Sequence, residues 1–255
     1  MYRSFIYTQT RLQARHARRP DERSWQLAES QRDLGSFLQV AHQNNLQTWV
    51  AGLQSTDHHH LLETALLKHY RDYIDDVASW VPALWRRSVE WTKSLTYLPA
   101  LQHLLRGNTA QAWMLQDPVL KEFTAIHHEL RYAAFGQSVY APMLQAQREG
   151  HSLPGEWLRH WQTLWPDPPA RQRASLQLLS STLQQHLRAF PLEAPDAGWQ
   201  RRKELAHKLG RMFRSCSYQP VAIFIHLLLV ALDIERLRGD IMQRQLFPKY
   251  REENA

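Results

Sequence analysis

The densest group of metal-ligating side chains is His58-His59-His60, followed by Glu63, His69, Asp72 and Asp75 along one predicted helix. Imidazoles and carboxylates are the usual ligands of zinc and of carboxylate-bridged iron. His59 and Glu63 stand four residues apart, so a helix brings them onto one face. A second group, Glu122, His127, His128 and Glu129, offers the same ligand types. Neither group contains HExxH, and neither supplies the paired ExxH elements of a di-iron bundle. Both read as a solvated helix start and a polar helix face, with metal binding the minority alternative. No metal and no cofactor is expected.

Other reactive chemistry finds less support. There is no GxxxxGK[ST] and no GxGxxG, and an all-helical chain lacks the strand–loop–helix setting that those loops need. GxSxG is absent as well. Cys216 is the single cysteine, which excludes a disulfide framework and any CxxC site. Without a local signature around it, it reads as a small buried apolar side chain. Asp75-Asp76 and Glu252-Glu253 read as solvated charge. With no catalytic constellation, the chain is expected not to be an enzyme.

Charge says more. Lys and Arg number 31 against 24 Asp and Glu, a net charge of +7, and 14 His can add to it below neutral pH. Arg11, Arg15, Arg18 and Arg19 fall close to one helical stripe, with Tyr2, Phe5 and Tyr7 interleaved. Arg201, Arg202, Lys203, Lys208, Arg211 and Arg214 form a second cluster. Such clusters attract phosphate, anionic headgroups or acidic protein surfaces. No recognised DNA- or RNA-binding motif accompanies them.

The elements that position these residues are helices. Leucine and glutamine outnumber β-branched residues, and there are only 9 Gly. The chain is therefore all-α. Tyr2 to Arg18 reads as a helix closed by Pro20. Thr56 and Asp57 are candidate N-caps of a long helix to about Trp80, in which Leu62, Leu66, His69, Tyr73 and Val77 make one continuous face. Helical pieces broken near Pro99 extend from Leu84 to Gly107. Asp117-Pro118 predicts a cap and a first-turn proline, opening a helix to about Tyr132. Asp167-Pro168-Pro169 repeats that logic before Arg171–Phe190, and Pro191 to Gly198 reads as a linker. Trp199 to Cys216 forms the next helix.

The closing helix is expected over 220–246. From Val221 to Leu232 it is apolar nearly all round, so other helices must surround it. The apolar run Pro220–Ile234 is short of the about 20 residues that a membrane span needs, and it contains His226 and Asp233. Met1 to Arg19 is basic and acid-free without an apolar core, which excludes a secretory signal and leaves a transit peptide conceivable. At the far end of the apolar run, Asp233-Ile-Glu-Arg236-Leu-Arg238-Gly239 turns abruptly charged, and Glu235 can pair with Arg238. There is an internal echo as well. Trp49, the Leu62–His69 helix and Leu104-Leu105-Arg106-Gly107 are matched by Trp161, the Leu176–His186 helix and Leu237-Arg238-Gly239. The echo divides the chain into about two helical repeats, 1–110 and 111–255.

Four segments resemble the C subunit of the prokaryotic rotary V/A-type ATPases, called d in eukaryotes. Tyr7-Thr-Gln-Thr-Arg11-Leu-Gln-Ala14-Arg15 is similar to its opening helix. Asp33-Leu34-Gly35-Ser36-Phe37-Leu38, with Leu62-Glu63 to Tyr70, resembles its early helices. Trp91 to Gly107 resembles the segment closing a repeat, and Pro220 to Gly239 the last helix. Where the family has Asn before the Leu-Arg pair, Arg236 stands here, and His103 stands at the matching place of the first repeat. Members usually carry three related helical domains, whereas this chain has room for about two.

The resemblance implies a funnel-like, non-catalytic adaptor that couples the central-stalk shaft subunits to the membrane proteolipid ring. It also implies a peripheral position on the cytoplasmic face of the inner membrane, with headgroup contact. Arg11, Arg15, Arg18, Arg236 and Arg238 are the candidate partner-binding residues. Nucleic acid is not a partner under this reading. The alternative is a basic helical module for nucleic acid or an anionic surface.

Overall fold

A computed structural model describes residues 2–189 and 197–247. Among them are fourteen α-helices, two 3₁₀ helices and no strand. In order these are α1 (Tyr2–Ala17), α2 (Glu22–Glu29), α3 (Leu34–His42), α4 (Gln47–Val50), α5 (His59–Trp80) and α6 (Ala83–Glu90). A 3₁₀ stretch, Trp91–Tyr97, leads into α7 (Leu98–Leu105) and α8 (Ala112–Gln116), and a second, Leu120–Phe123, precedes α9 (His128–Gln137). Then come α10 (Ala141–Arg148), α11 (Leu153–Thr163), α12 (Ala170–Ala189), α13 (Ala197–Ser215) and α14 (Pro220–Leu246). The expected linker falls mostly on residues outside those described.

Helix ends follow local chemistry. Asp21 and Asp33 cap α2 and α3 by accepting from the backbone N–H of Ser24 and Ser36, both at 2.8 Å. Gly107 ends α7 at φ +83°, a left-handed conformation that glycine takes without Cβ strain. There Asn108 N–H donates to His103 O and Gly107 N–H to Leu104 O, satisfying carbonyls the helix leaves open.

Two expectations shift. α5 is capped by His58, whose Nδ1 accepts from His60 N–H, while Asp57 accepts from Gln54 N–H and closes the preceding turn instead. Asp117 does cap, accepting from the N–H of Val119 and Leu120. It opens only the 3₁₀ turn, however, and α9 does not begin until His128. The reason is Asp117's other oxygen. It accepts from Arg71 and Tyr97, at 3.1 and 3.0 Å, and so serves tertiary packing rather than a longer helix.

The core gathers on α14. Every residue from Pro220 to Val230 is buried, and α14 as a whole contacts α13, α5, α12, α1, α6 and α3. The apolar half of this helix is thus enclosed, as its all-round hydrophobicity requires. Burial of each large aliphatic side chain contributes about 1.5–3 kcal/mol. Tryptophans extend the same cluster. Trp91 and Trp157 stack at 6.4 Å, Trp157 and Trp161 at 6.1 Å, and Trp161 meets Phe224 of α14 edge-on at 4.9 Å. Trp91 Nε1–H donates to Trp157 O, and Trp157 Nε1–H to Ser94 Oγ. Aromatic burial and a satisfied polar tip coincide at Trp91 and Trp157, whereas the buried Trp161 Nε1–H has no partner.

One hydrophobic cluster runs through both sides of residue 110. The echoed Leu-Arg-Gly marks occupy unlike settings: Gly107 terminates a short helix, and Gly239 lies inside α14. No described helix is long and apolar enough to cross a membrane.

Candidate functional site

The basic stripe of α1 divides into residues that tie the fold and residues that face out. Arg11 donates to Tyr7 Oη at 2.7 Å and lies 4.2 Å from the ring centre of Trp80. Arg15 donates to Asp76 at 2.6 Å and lies over Tyr73 and Trp80, each at 5.4 Å. Both thus hold α1 against the end of α5, where Thr8 Oγ1 also donates to Trp80 O. Arg18 is exposed and makes no ion pair among the described residues.

Arg19 is the strongest tie. Its Nε and Nη2 donate to the two oxygens of Asp233 at 2.8 and 2.9 Å, locking the end of α1 to α14. The paired, parallel geometry is the strongest form that such a bond takes. Burial pushes the Asp233 carboxyl above its ordinary range, with Arg19 opposing the shift.

The arginines of α14 point inward as well. Arg236 is buried, donates to Glu29 at 2.6 Å and to Glu22, and stacks 4.4 Å from the Trp25 ring centre. Bonds from Glu29 and Glu22 raise its already high pKa against the desolvation. Arg238 reaches Glu63 at 2.6 Å and Glu235 at 3.7 Å, so the expected within-helix pair is present beside a cross-helix one. Arg236 is therefore a bridge between α14 and α2, stacked on Trp25 of α2. Charge reversal there would place a carboxylate against two others.

The fold also brings together Arg19, just past the end of α1, and the basic cluster of α13. A groove of about 500 Å³ is lined by Arg19, Ala206, His207, Gly210, Arg211, Arg214 and Leu229. Arg211, Arg214 and His207 are exposed on it, and no carboxylate lines it. Elsewhere on α13, Arg201 is held by Glu204 and Lys208 by Gln185 Oε1.

Beneath the groove lies a polar chain. Tyr73 Oη is 2.6 Å from His226 Nε2, and His226 Nδ1 is 3.4 Å from His16 Nδ1. His16 in turn stacks on Phe213 of α13 at 3.8 Å. Burial raises the Tyr73 pKa, so its hydroxyl stays protonated and donates, and His226 then carries its proton on Nδ1 toward His16. Burial, reinforced by Arg19 and Arg214, lowers His16 to about 4, and His226 goes well below its ordinary value. Both imidazoles are neutral at neutral pH.

Several tertiary residues carried no strong sequence signal. Arg244 is buried and donates to the carbonyls of Glu29, Gln31 and Asp240. Arg131 is buried and donates to the carbonyls of Ala125, Leu104 and Asn108, closing three chain segments. Nothing in the local pattern separates these arginines from surface ones. Asp117 had a signal, the Asp-Pro cap, but its burial depends on Arg71, 46 residues away.

The histidine groups separate too. The ligand atoms of His58, His59 and His60 lie within 4.8 Å of one another. Glu122, His127, His128 and Glu129 form no such cluster among the described residues. Cys216 is buried, as expected. No protein-family model matches this chain, and no curated protein or solved structure matches it either.

Proposed function

We propose that the chain is a non-catalytic coupling subunit of a V/A-type ATPase, linking the central rotor shaft to the membrane proteolipid ring. The observation that favours it is the closure of the first described helix on the last. α1 packs along α14, and four arginines (Arg15, Arg19, Arg236 and Arg238) bind carboxylates far away in sequence. A part that passes torque must resist shear between its first and last helices. Half-buried ion pairs across helices resist it better than exposed pairs, because both partners are fixed by packing. The buried polar groups fit the same reading, since Asp117, Arg131 and His226 use their hydrogen bonds inside the fold.

The basic groove between Arg19 and α13 is then the contact for an acidic face of a shaft or ring subunit, with Arg211 and Arg214 as its exposed charges. The subunit sits peripherally, on the cytoplasmic face of the membrane. Affinity purification from detergent-solubilised membranes of the source cell tests this, with co-purifying chains identified by mass spectrometry. Proteolipid and shaft subunits are expected. Recovery of neither refutes the proposal.

The same carboxylate-free groove favours a second reading, a basic helical module for nucleic acid or another polyanion. Phosphate binding falls steeply with salt through counterion release. Tight binding to a duplex or single strand at low salt, lost by moderate salt, would select it over the first.

A further inference from the structure

We propose that His58, His59 and His60 form a binding site for one divalent transition-metal ion of the zinc class, where the start of α5 meets the end of α14. The tertiary structure turns three consecutive residues, which an ordinary helix start would splay apart, toward a common point. Their ring centres lie 4.0, 3.9 and 4.9 Å apart, and the ligand nitrogens all fall within 4.8 Å. Imidazole binds zinc at about 2.0–2.1 Å, so tetrahedral ligands stand roughly 3.3 Å from each other. His58 is exposed and the other two are half-buried, and with Nδ1 of His58 accepting from His60 N–H its Nε2 is the nitrogen left for a metal.

A second observation points to the same place. His60 Nδ1 is buried and has no hydrogen-bond partner. Unsatisfied buried nitrogens are exceptions in folded proteins, and a metal bond is one way of using such an atom. The positive end of the α5 dipole opposes a cation, and the Glu63 carboxylate stands three residues beyond His60, one turn further along the helix. Glu63 is held in place by Arg238 of α14, and Gln245 Nε2–H donates to Asp57 O beside the triad. Three imidazoles leave a further coordination position to water. The ion would act as a staple at a junction already drawn together by side chains of α5 and α14.

The test uses the full chain produced without a histidine tag, stripped with a chelator and titrated with zinc chloride by calorimetry, with thermal melts in parallel. One-to-one saturable binding and a higher melting temperature with zinc are expected, since a ligand of the folded state alone stabilises it. His59→Gln and His60→Gln should each weaken binding on the order of tenfold or more, with the circular dichroism of the metal-free protein unchanged. His127→Gln/His128→Gln should bind as the parent does. Absence of saturable binding to the parent overturns the proposal, which makes it independent of how any variant folds. Binding that survives replacement of all three histidines overturns it too.

Discussion

Removing Arg19 tests whether the ends of the chain are truly locked. Arg19→Met keeps most of the apolar stem and deletes both bonds to Asp233, whose side chain is 10% exposed. The carboxylate is then left buried without a partner. Stripping one member from a buried ion pair costs about 3–5 kcal/mol. Arg19 is 19% exposed, so some water reaches the site and the lower end of that range is expected. The double variant Arg19→Met/Asp233→Leu removes the stranded charge and should recover most of the loss, to within about 1 kcal/mol of the parent.

The penalty in Arg19→Met also has a definite pH dependence. Burial raises the Asp233 carboxyl, so the folded state holds its proton to higher pH than the unfolded state does. Stability then falls as pH rises through that interval, and the defect shrinks as pH is lowered. Urea unfolding followed by circular dichroism, at neutral and mildly acidic pH, measures both effects. A double variant as unstable as the single one, or a single variant that loses less than about 1 kcal/mol, would show that the pair carries no clamping role.

Three further outcomes are expected. Because His16 is lowered from 6.5 to about 4, the folded state resists its protonation, and stability should decline as pH falls from 6.5 toward about 4. His16→Phe, which keeps the stack on Phe213, should make that acid limb shallower in melts run across the interval, leaving the part due to His226. Gly107→Ala should cost about 1–3 kcal/mol in urea unfolding, the range for a non-glycine residue held at positive φ; its new Cβ would also stand 2.2 Å from His128 Cε1. Arg211→Glu/Arg214→Glu should abolish co-purification of the ATPase subunits while leaving the melting temperature within a few degrees of the parent, because both side chains are exposed.

Periodicity was enough for most elements. Of the α5 face, Leu62, Leu66, Tyr73 and Val77 are buried and His69 half-buried, and α14 runs over the expected 220–246. Local spacing carries this information, because which side of a helix is apolar depends only on residues one turn apart. The same logic failed at Asp117-Pro118, where the capping pattern is present and its helix is not. There the competing bonds come from Arg71 and Tyr97, on other elements.

Composition by itself settled that the chain is helical, which segment lies innermost and that its surface is basic, since all three follow from residue types and their repeat along the chain. Only the tertiary structure decided what each arginine does. Arg236 and Arg18 are alike in sequence, yet one is buried between Glu22 and Glu29 and the other is exposed. Arg19 and the basic cluster of α13 line one groove only because α14 brings them together, and the histidine triad converges only through the side-chain placement at the start of α5. A charge's role depends on its distance to the nearest opposite charge and on the water left around it, and neither quantity is written in the order of the residues.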